Sequence, residues 1–118
     1  MHTKNEETAL KWMEAFNEHD IENLMALYSE DAVHYSPKLK IHHPETMGFI
    51  KGKAALKEWW RDAFERLPQL HYQLILLTAN HKSVCMEYVR KVPGEDDILV
   101  AEILDIDELI IASRVYHG

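Results

Sequence analysis

The stretch ILVAEILDIDELIIASRVYH, residues 98–117, decides the architecture. Read in steps of two, its first run places Ile98, Val100, Glu102 and Leu104 on one face and Leu99, Ala101, Ile103 and Asp105 on the other. After a turn at Asp107-Glu108, Ile111, Ser113, Val115 and His117 oppose Ile110, Ala112, Arg114 and Tyr116. Both faces of both runs are substantially apolar, whereas a sheet with one solvated face shows a cleaner polar alternation. Each face therefore needs a cover.

Two further β-rich runs precede this stretch, His71–Thr78 and Ser83–Val92. In the second, Val84, Met86, Tyr88 and Arg90 oppose Cys85, Glu87, Val89 and Lys91. Ala79-Asn80-His81-Lys82 and Pro93-Gly94-Glu95-Asp96-Asp97 are short enough to join consecutive antiparallel strands. Upstream the period changes to that of a helix. Ala9, Trp12, Met13 and Phe16 share one helical face, and Thr3 with Glu6 has the spacing of a capping box. Asp20 can cap a second helix carrying Ile21, Leu24, Met25 and Tyr28. A third helix follows Gly52, with Leu56, Trp59, Trp60, Ala63 and Leu67 as its apolar stripe and Pro68 as its stop. Between the second and third helices the spacing predicts a short strand at Ala32–Ser36. A long loop with room for a second short strand follows, of a length often found in lids and pocket entrances.

Helices first and a meander afterwards predict an α+β fold with three helices packed on one face of a curved sheet. Three helices cover one face only. A second copy of the chain is the simplest cover for the other, which predicts a homodimer through the outer sheet face.

Composition narrows the function class. The chain has 118 residues, enough for one domain and one core. Apolar residues are 47% and charged residues 28%, the balance of a globular protein rather than a disordered one. Twenty acids against thirteen bases leave a formal charge of −7, which argues against a nucleic-acid partner. No apolar run approaches the roughly 20 residues that span a bilayer, and MHTKNEETAL lacks the apolar core of a signal peptide. A single cysteine, Cys85, suits a reducing compartment, the cytoplasm. Eight histidines invite a metal reading, but His42-His43 are adjacent and no H-x-x-x-H or H-E-x-x-H spacing occurs. No metal and no cofactor is expected.

Three stretches in this order, WMEAFNEHDIENLMALYSEDAVHYSP, GFIKGKAALKEWWRDAF and VAEILDIDELIIASRVYHG, resemble the nuclear transport factor 2-like superfamily on its SnoaL-like polyketide cyclase and ketosteroid isomerase side. The resemblance covers nearly the whole chain. It implies a cystatin-like cone, a strongly curved, mostly antiparallel sheet wrapped on three N-terminal helices, with a pocket between them. It does not imply one reaction, because the superfamily includes isomerases, cyclases, dehydratases, hydrolases and binders without catalysis. Laid over ketosteroid isomerases, the helix-one tyrosine falls on Trp12, the base on Ser36 and the hydrogen-bonding sheet aspartate on Glu102. Only Glu102 keeps a carboxyl group, which argues against ketosteroid isomerisation itself. The epoxide hydrolases of the superfamily hold an arginine between two carboxylates, and here a second inner carboxylate is missing.

On the face that the resemblance turns inward, His34, Glu102 and His117 are the ionisable candidates for catalysis. His34 and Ser36 are two apart and share a face. Trp12, Phe16, Tyr28, Ser36, Trp59, Trp60, Phe64, Val84, Met86, Tyr88, Val100 and Val115 are the candidate substrate contacts. In an apolar setting a carboxyl group has its pKa raised by desolvation, and a nearby protonated histidine opposes that. Such groups suit general acid–base chemistry on a small, largely apolar carbonyl or polyphenol-like substrate. His34 would be the base, Glu102 the acid or the group that orients it, and Tyr28 or Tyr88 a donor to a developing enolate. Against this stand plainer readings. Glu102 can belong to a satisfied buried network with His34 or His117, and one of Trp59 and Trp60 can fill the core. Cys85 falls on the outer set. An enzyme, a non-catalytic binder of an apolar ligand, and a dimeric interaction module with a self-filled cone all remain open.

Overall fold

A computed structural model describes residues 3–117. The first helix, α1 (Lys4–Asn17), starts at Thr3, whose side chain accepts from the Glu6 amide while the Glu6 carboxylate accepts from the Thr3 amide. This reciprocal pair satisfies two amides that a helix start leaves open. Its buried side is Ala9, Trp12, Met13, Ala15 and Phe16. A short α2 (Ile21–Met25) is capped by Asp20, which accepts from the Asn23 amide. The expectation that this helix carries Tyr28 is corrected: Tyr28 is the first residue of β1 (Tyr28–Tyr35). Tyr28 lies four residues after Leu24 and four before Ala32, so helix and strand periods both accept it. Pairing with Ile110 decides for the strand.

The segment read as a long loop contains two short helical pieces, α3 (Pro37–His42) and a single 3₁₀ turn at Pro44–Thr46, before β2 (Phe49–Lys51). Gly48 lets the chain return: at φ +89° a side chain is strained, and a Cβ would stand 2.6 Å from the Tyr35 ring. Next come α4 (Lys53–Arg66), β3 (His71–Ala79), β4 (Ser83–Lys91), β5 (Ile98–Asp107) and β6 (Leu109–His117).

The strands form one sheet in the order β2-β1-β6-β5-β4-β3. Every neighbouring pair is antiparallel except β1 with β6, which is parallel. The α+β architecture predicted from the change of period is the one observed. The inner face of β4 is sealed: Val84, Met86 and Tyr88 are buried, and between them Cys85, Glu87 and Val89 are half-exposed. One alternation is corrected. Strict period 2 set Ile110 opposite Ser113 and Val115, yet Ile110 and Ser113 are both buried and Ile111 is exposed. The β5–β6 register shifts between Asp105 and Ile106, and such a bulge moves side chains from one face to the other.

Candidate functional site

The floor of the cone is closed by aromatic residues. Trp12, Phe16 and Tyr28 are sealed, and the Trp12 indole donates to the Tyr28 hydroxyl at 2.9 Å. Phe16 stacks on Tyr72 and Tyr72 on Tyr88, each pair with ring centres 4.0 Å apart. Above them opens a cavity of about 770 Å³. Its inner wall includes Phe16, Trp60, Tyr72, Tyr88 and Val100, and Glu102 and His34 stand among them. Ser36, Trp59, Val115 and His117 also line it. Trp12, Tyr28, Phe64, Val84 and Met86, expected as substrate contacts, are instead buried in the packed layer behind that wall. Aromatic side chains on inward stripes serve core and pocket alike, and spacing alone does not separate the two.

Glu102 is sealed in the centre of β5, opposite Met86. The Tyr88 hydroxyl donates to its Oε1 at 2.7 Å. Oε2 has no partner, and among the described residues it is the one sealed side-chain polar atom in that condition. Burial pushes the Glu102 pKa up to about 8, against the smaller opposing effect of the Tyr88 bond. At neutral pH the group is mostly a carboxylic acid, so Oε2 carries or can carry a proton with no protein acceptor. Glu102 does not pair with Arg90, the arginine on the same face of β4. Arg90 lies four residues beyond Met86 and donates to Glu95 at 2.9 Å.

His34 is buried in β1, against Trp60 with ring centres 5.1 Å apart. Its Nδ1 lies 2.7 Å from the Ser113 hydroxyl on β6. Burial lowers its pKa to about 4, so the ring is neutral at pH 7. Nε2 has no hydrogen-bond partner, yet it is not sealed, so it opens on the cavity that His34 lines. The plain reading in which Glu102 pairs with His34 or His117 is not the arrangement found, since Glu102 bonds Tyr88 and His34 bonds Ser113. His117 ends β6 opposite Val100 and is exposed at the mouth. Desolvation, then Lys38 and Arg90, depress its pKa. The three candidates thus divide into two at depth and one at the rim.

Sequence reasoning passed over Tyr72, Ser113 and Lys38. Tyr72 pairs with Arg90 across β3 and β4, so hairpin register could have placed it inward. Ser113 stood in the inward set without a role. Lys38 lies on α3, in a segment read as loop, and carried no signal. Among the described residues no three His, Cys, Asp or Glu side chains are disposed to hold a metal ion, and no helix is long and apolar enough to cross a membrane.

Comparison with known proteins agrees with this geometry. Residues 9–109 match the family model of the SnoaL-like domain. A SnoaL-like protein of unknown function from Burkholderia thailandensis superposes with a TM-score of 0.87 at 22% identity, over 98% of this chain and 97% of that one. An uncharacterised cystatin-fold protein from Novosphingobium aromaticivorans gives 0.80 at 18% identity, over 98% and 99%. A protein with a ketosteroid isomerase-like fold from Catenulispora acidiphila, solved in complex with trimethylamine, gives 0.74 at 16% identity, over 95% and 85%. At these identities the likeness is one of fold. No curated protein matches the chain.

Proposed function

The chain belongs to the SnoaL-like domain family, and from that premise we propose that it is a small-molecule enzyme moving a proton on a largely apolar carbonyl or polyphenol-like substrate, in the manner of an isomerase or polyketide cyclase. One observation carries the reading. Two titratable groups in the same cavity are pushed in opposite directions, Glu102 up to about 8 and His34 down to about 4, so both are neutral at pH 7. A neutral imidazole can take a proton and a neutral carboxylic acid can give one.

With Nδ1–H donated to Ser113 Oγ, the lone pair of His34 Nε2 faces the cavity as the base. Glu102, oriented by Tyr88, gives its Oε2 proton to the carbonyl oxygen as the enol forms, once the seated substrate has moved aside the side chains that seal that atom. Tyr88 supports that acid and is not a separate donor to substrate, because its hydroxyl is already engaged. Tyr28 is sealed and drops out of the donor role. His117 belongs to the entrance. A cavity of about 770 Å³ argues against a cone filled by its own side chains. The same cavity would serve a binder without turnover, and the unpartnered Glu102 Oε2 favours that second reading equally, since a ligand would satisfy it.

The test is deuterium exchange at the α-carbon of 1-tetralone, followed by NMR. Wild type should exceed the buffer rate, and Glu102→Gln and His34→Ala should each lower that excess by about 100-fold or more. Variants that bind the ketone and exchange it at the wild-type rate would sink the catalytic reading and leave the binder.

A homodimer through the outer sheet face belongs to the same proposal. Leu76, Leu99 and Tyr116 project outward from β3, β5 and β6 and are each about half-exposed. An apolar patch across three strands supports a second copy as its cover. The lone half-exposed thiol Cys85 on the same face supports a reducing, cytoplasmic setting.

A further inference from the structure

The cavity is apolar at depth and cationic at its mouth, although the protein as a whole is acidic. Arg90 is the decisive residue. It is buried, with 8% of its surface exposed, and its guanidinium makes one hydrogen bond, from one amino group to Glu95. A guanidinium has five N–H donors. The unused ones are not sealed, because Glu102 Oε2 is the one sealed unpartnered side-chain atom among the described residues. They open on the cavity that Arg90 lines.

Lys38 faces the same space from α3, half-buried, and its amine has neither ion pair nor hydrogen bond among the described residues. Desolvation lowers its pKa, and the charges of Arg90 and Arg66 lower it further against the pull of Glu95. A half-buried cation without a partner beside a nearly buried guanidinium with free donors is an arrangement that costs stability unless an anion completes it.

We propose that the ligand of this cavity carries a carboxylate, held between Arg90 and Lys38 at the mouth, while its apolar body lies along Tyr88 toward Glu102. This deepens the proposed function and rests on it for the open pocket. Charge balance favours a monoanion. The permanent cations of the wall are Lys38, Arg66 and Arg90, and Asp62 and Glu95 already answer two of them, at 2.7 Å from Arg66 and 2.9 Å from Arg90. One positive charge remains to be met, and a doubly charged phosphate would leave an excess negative charge in a partly desolvated site. The strand sets the length. Arg90 is four residues along β4 from Met86, the partner of Glu102, so the carboxylate site stands about 13 Å along the wall from the acid, at ~3.3 Å per residue. An aromatic body of about two fused rings spans most of that distance once the arginine side chain reaches inward.

Calorimetric titration with 2-naphthoate and with its neutral counterpart 2-acetylnaphthalene tests this. Wild type should bind the acid at least about tenfold tighter than the ketone. Lys38→Met should bring the two to within about threefold while shifting ketone affinity by less than about twofold. Arg90→Met should abolish the preference, and if burial of that residue prevents folding, Lys38→Met carries the test alone. Equal affinities in wild type, or a preference that survives Lys38→Met, would overturn the carboxylate site and leave the apolar pocket standing. If neither compound binds, the open-pocket reading falls and the carboxylate site with it.

Discussion

The two faces of β4 and β5 are built from alternating residues of the same strands, yet they belong to different solvents. Met86 is sealed and its neighbours Cys85 and Glu87 are half-exposed; Val100 is buried and its neighbour Leu99 is about half-exposed. On the inner face, burial that stabilises Met86 also removes water from Glu102 and raises its pKa. On the outer face apolar side chains, Leu76, Leu99 and Tyr116 among them, are left without a cover. One strand alternation thus divides a desolvated face that holds a carboxyl group from a face of uncovered apolar side chains, and the deciding quantity is access to water.

The largest expected effect is in packing. Met86→Ala should cost about 2–5 kcal/mol in urea unfolding, because the sealed core cannot fully collapse around the lost atoms. Leu99→Ala should cost under about 1 kcal/mol in the monomer. Equal losses would break the contrast between the faces.

Glu102→Gln sharpens the inner half of the comparison through pH. Folded Glu102 holds its proton up to about 8, whereas its ordinary value is 4.5, so the folded chain binds more protons between these limits and stability falls as pH rises through them. Folded His34, at about 4 against an ordinary 6.5, makes stability rise with pH below about 6.5. From about 6.5 to 8 the Glu102 slope is therefore seen without His34. Over that window wild type should lose up to about 2 kcal/mol of stability relative to Glu102→Gln, at about 1.36 kcal/mol per pH unit. Parallel melting curves for the two proteins from pH 6.5 to 8.5 would show that Glu102 is not held neutral by burial. The same two values predict that the proposed proton-transfer activity declines above about pH 8 as Glu102 ionises, and below about pH 4 as His34 charges.

Leu99→Glu probes the outer half. Light scattering should register a shift from dimer to monomer with the circular dichroism spectrum retained, since a charge on that face opposes association and touches no core residue. A dimer that persists unchanged would remove the outer face from the proposed interface. The smallest effect lies where the faces meet, in the β5–β6 turn. Glu108 adopts φ 64°, and Glu108→Gly should raise stability by up to about 1 kcal/mol by relieving that conformation.

Much of this was legible from pattern. The capping box at Thr3 and Glu6, the inward set Val84, Met86, Tyr88 on β4, and Glu102 on the buried side of β5 follow from local spacing, and the structure has each of them. What pattern missed shares a cause. Tyr28 fitted two periods at once, and its partner is 82 residues away in β6. The Ser113 contact to His34 spans 79 residues, and the bulge after Asp105 turns Ile110 inward. Lys38 reaches the cavity wall on α3, together with His42, in a segment whose local spacing carries no sign of a helix.

The amino-acid order by itself determined the fold class, the strand faces away from bulges, and the presence of a carboxyl group and a histidine on inward positions, because these depend on neighbours a few residues apart. Only the tertiary structure decided that Glu102 bonds Tyr88 and not His34, that His117 stays at the rim, and that Arg90 keeps free donors over the cavity. Those outcomes depend on desolvation and on contacts between distant strands, and both arise when the chain closes on itself.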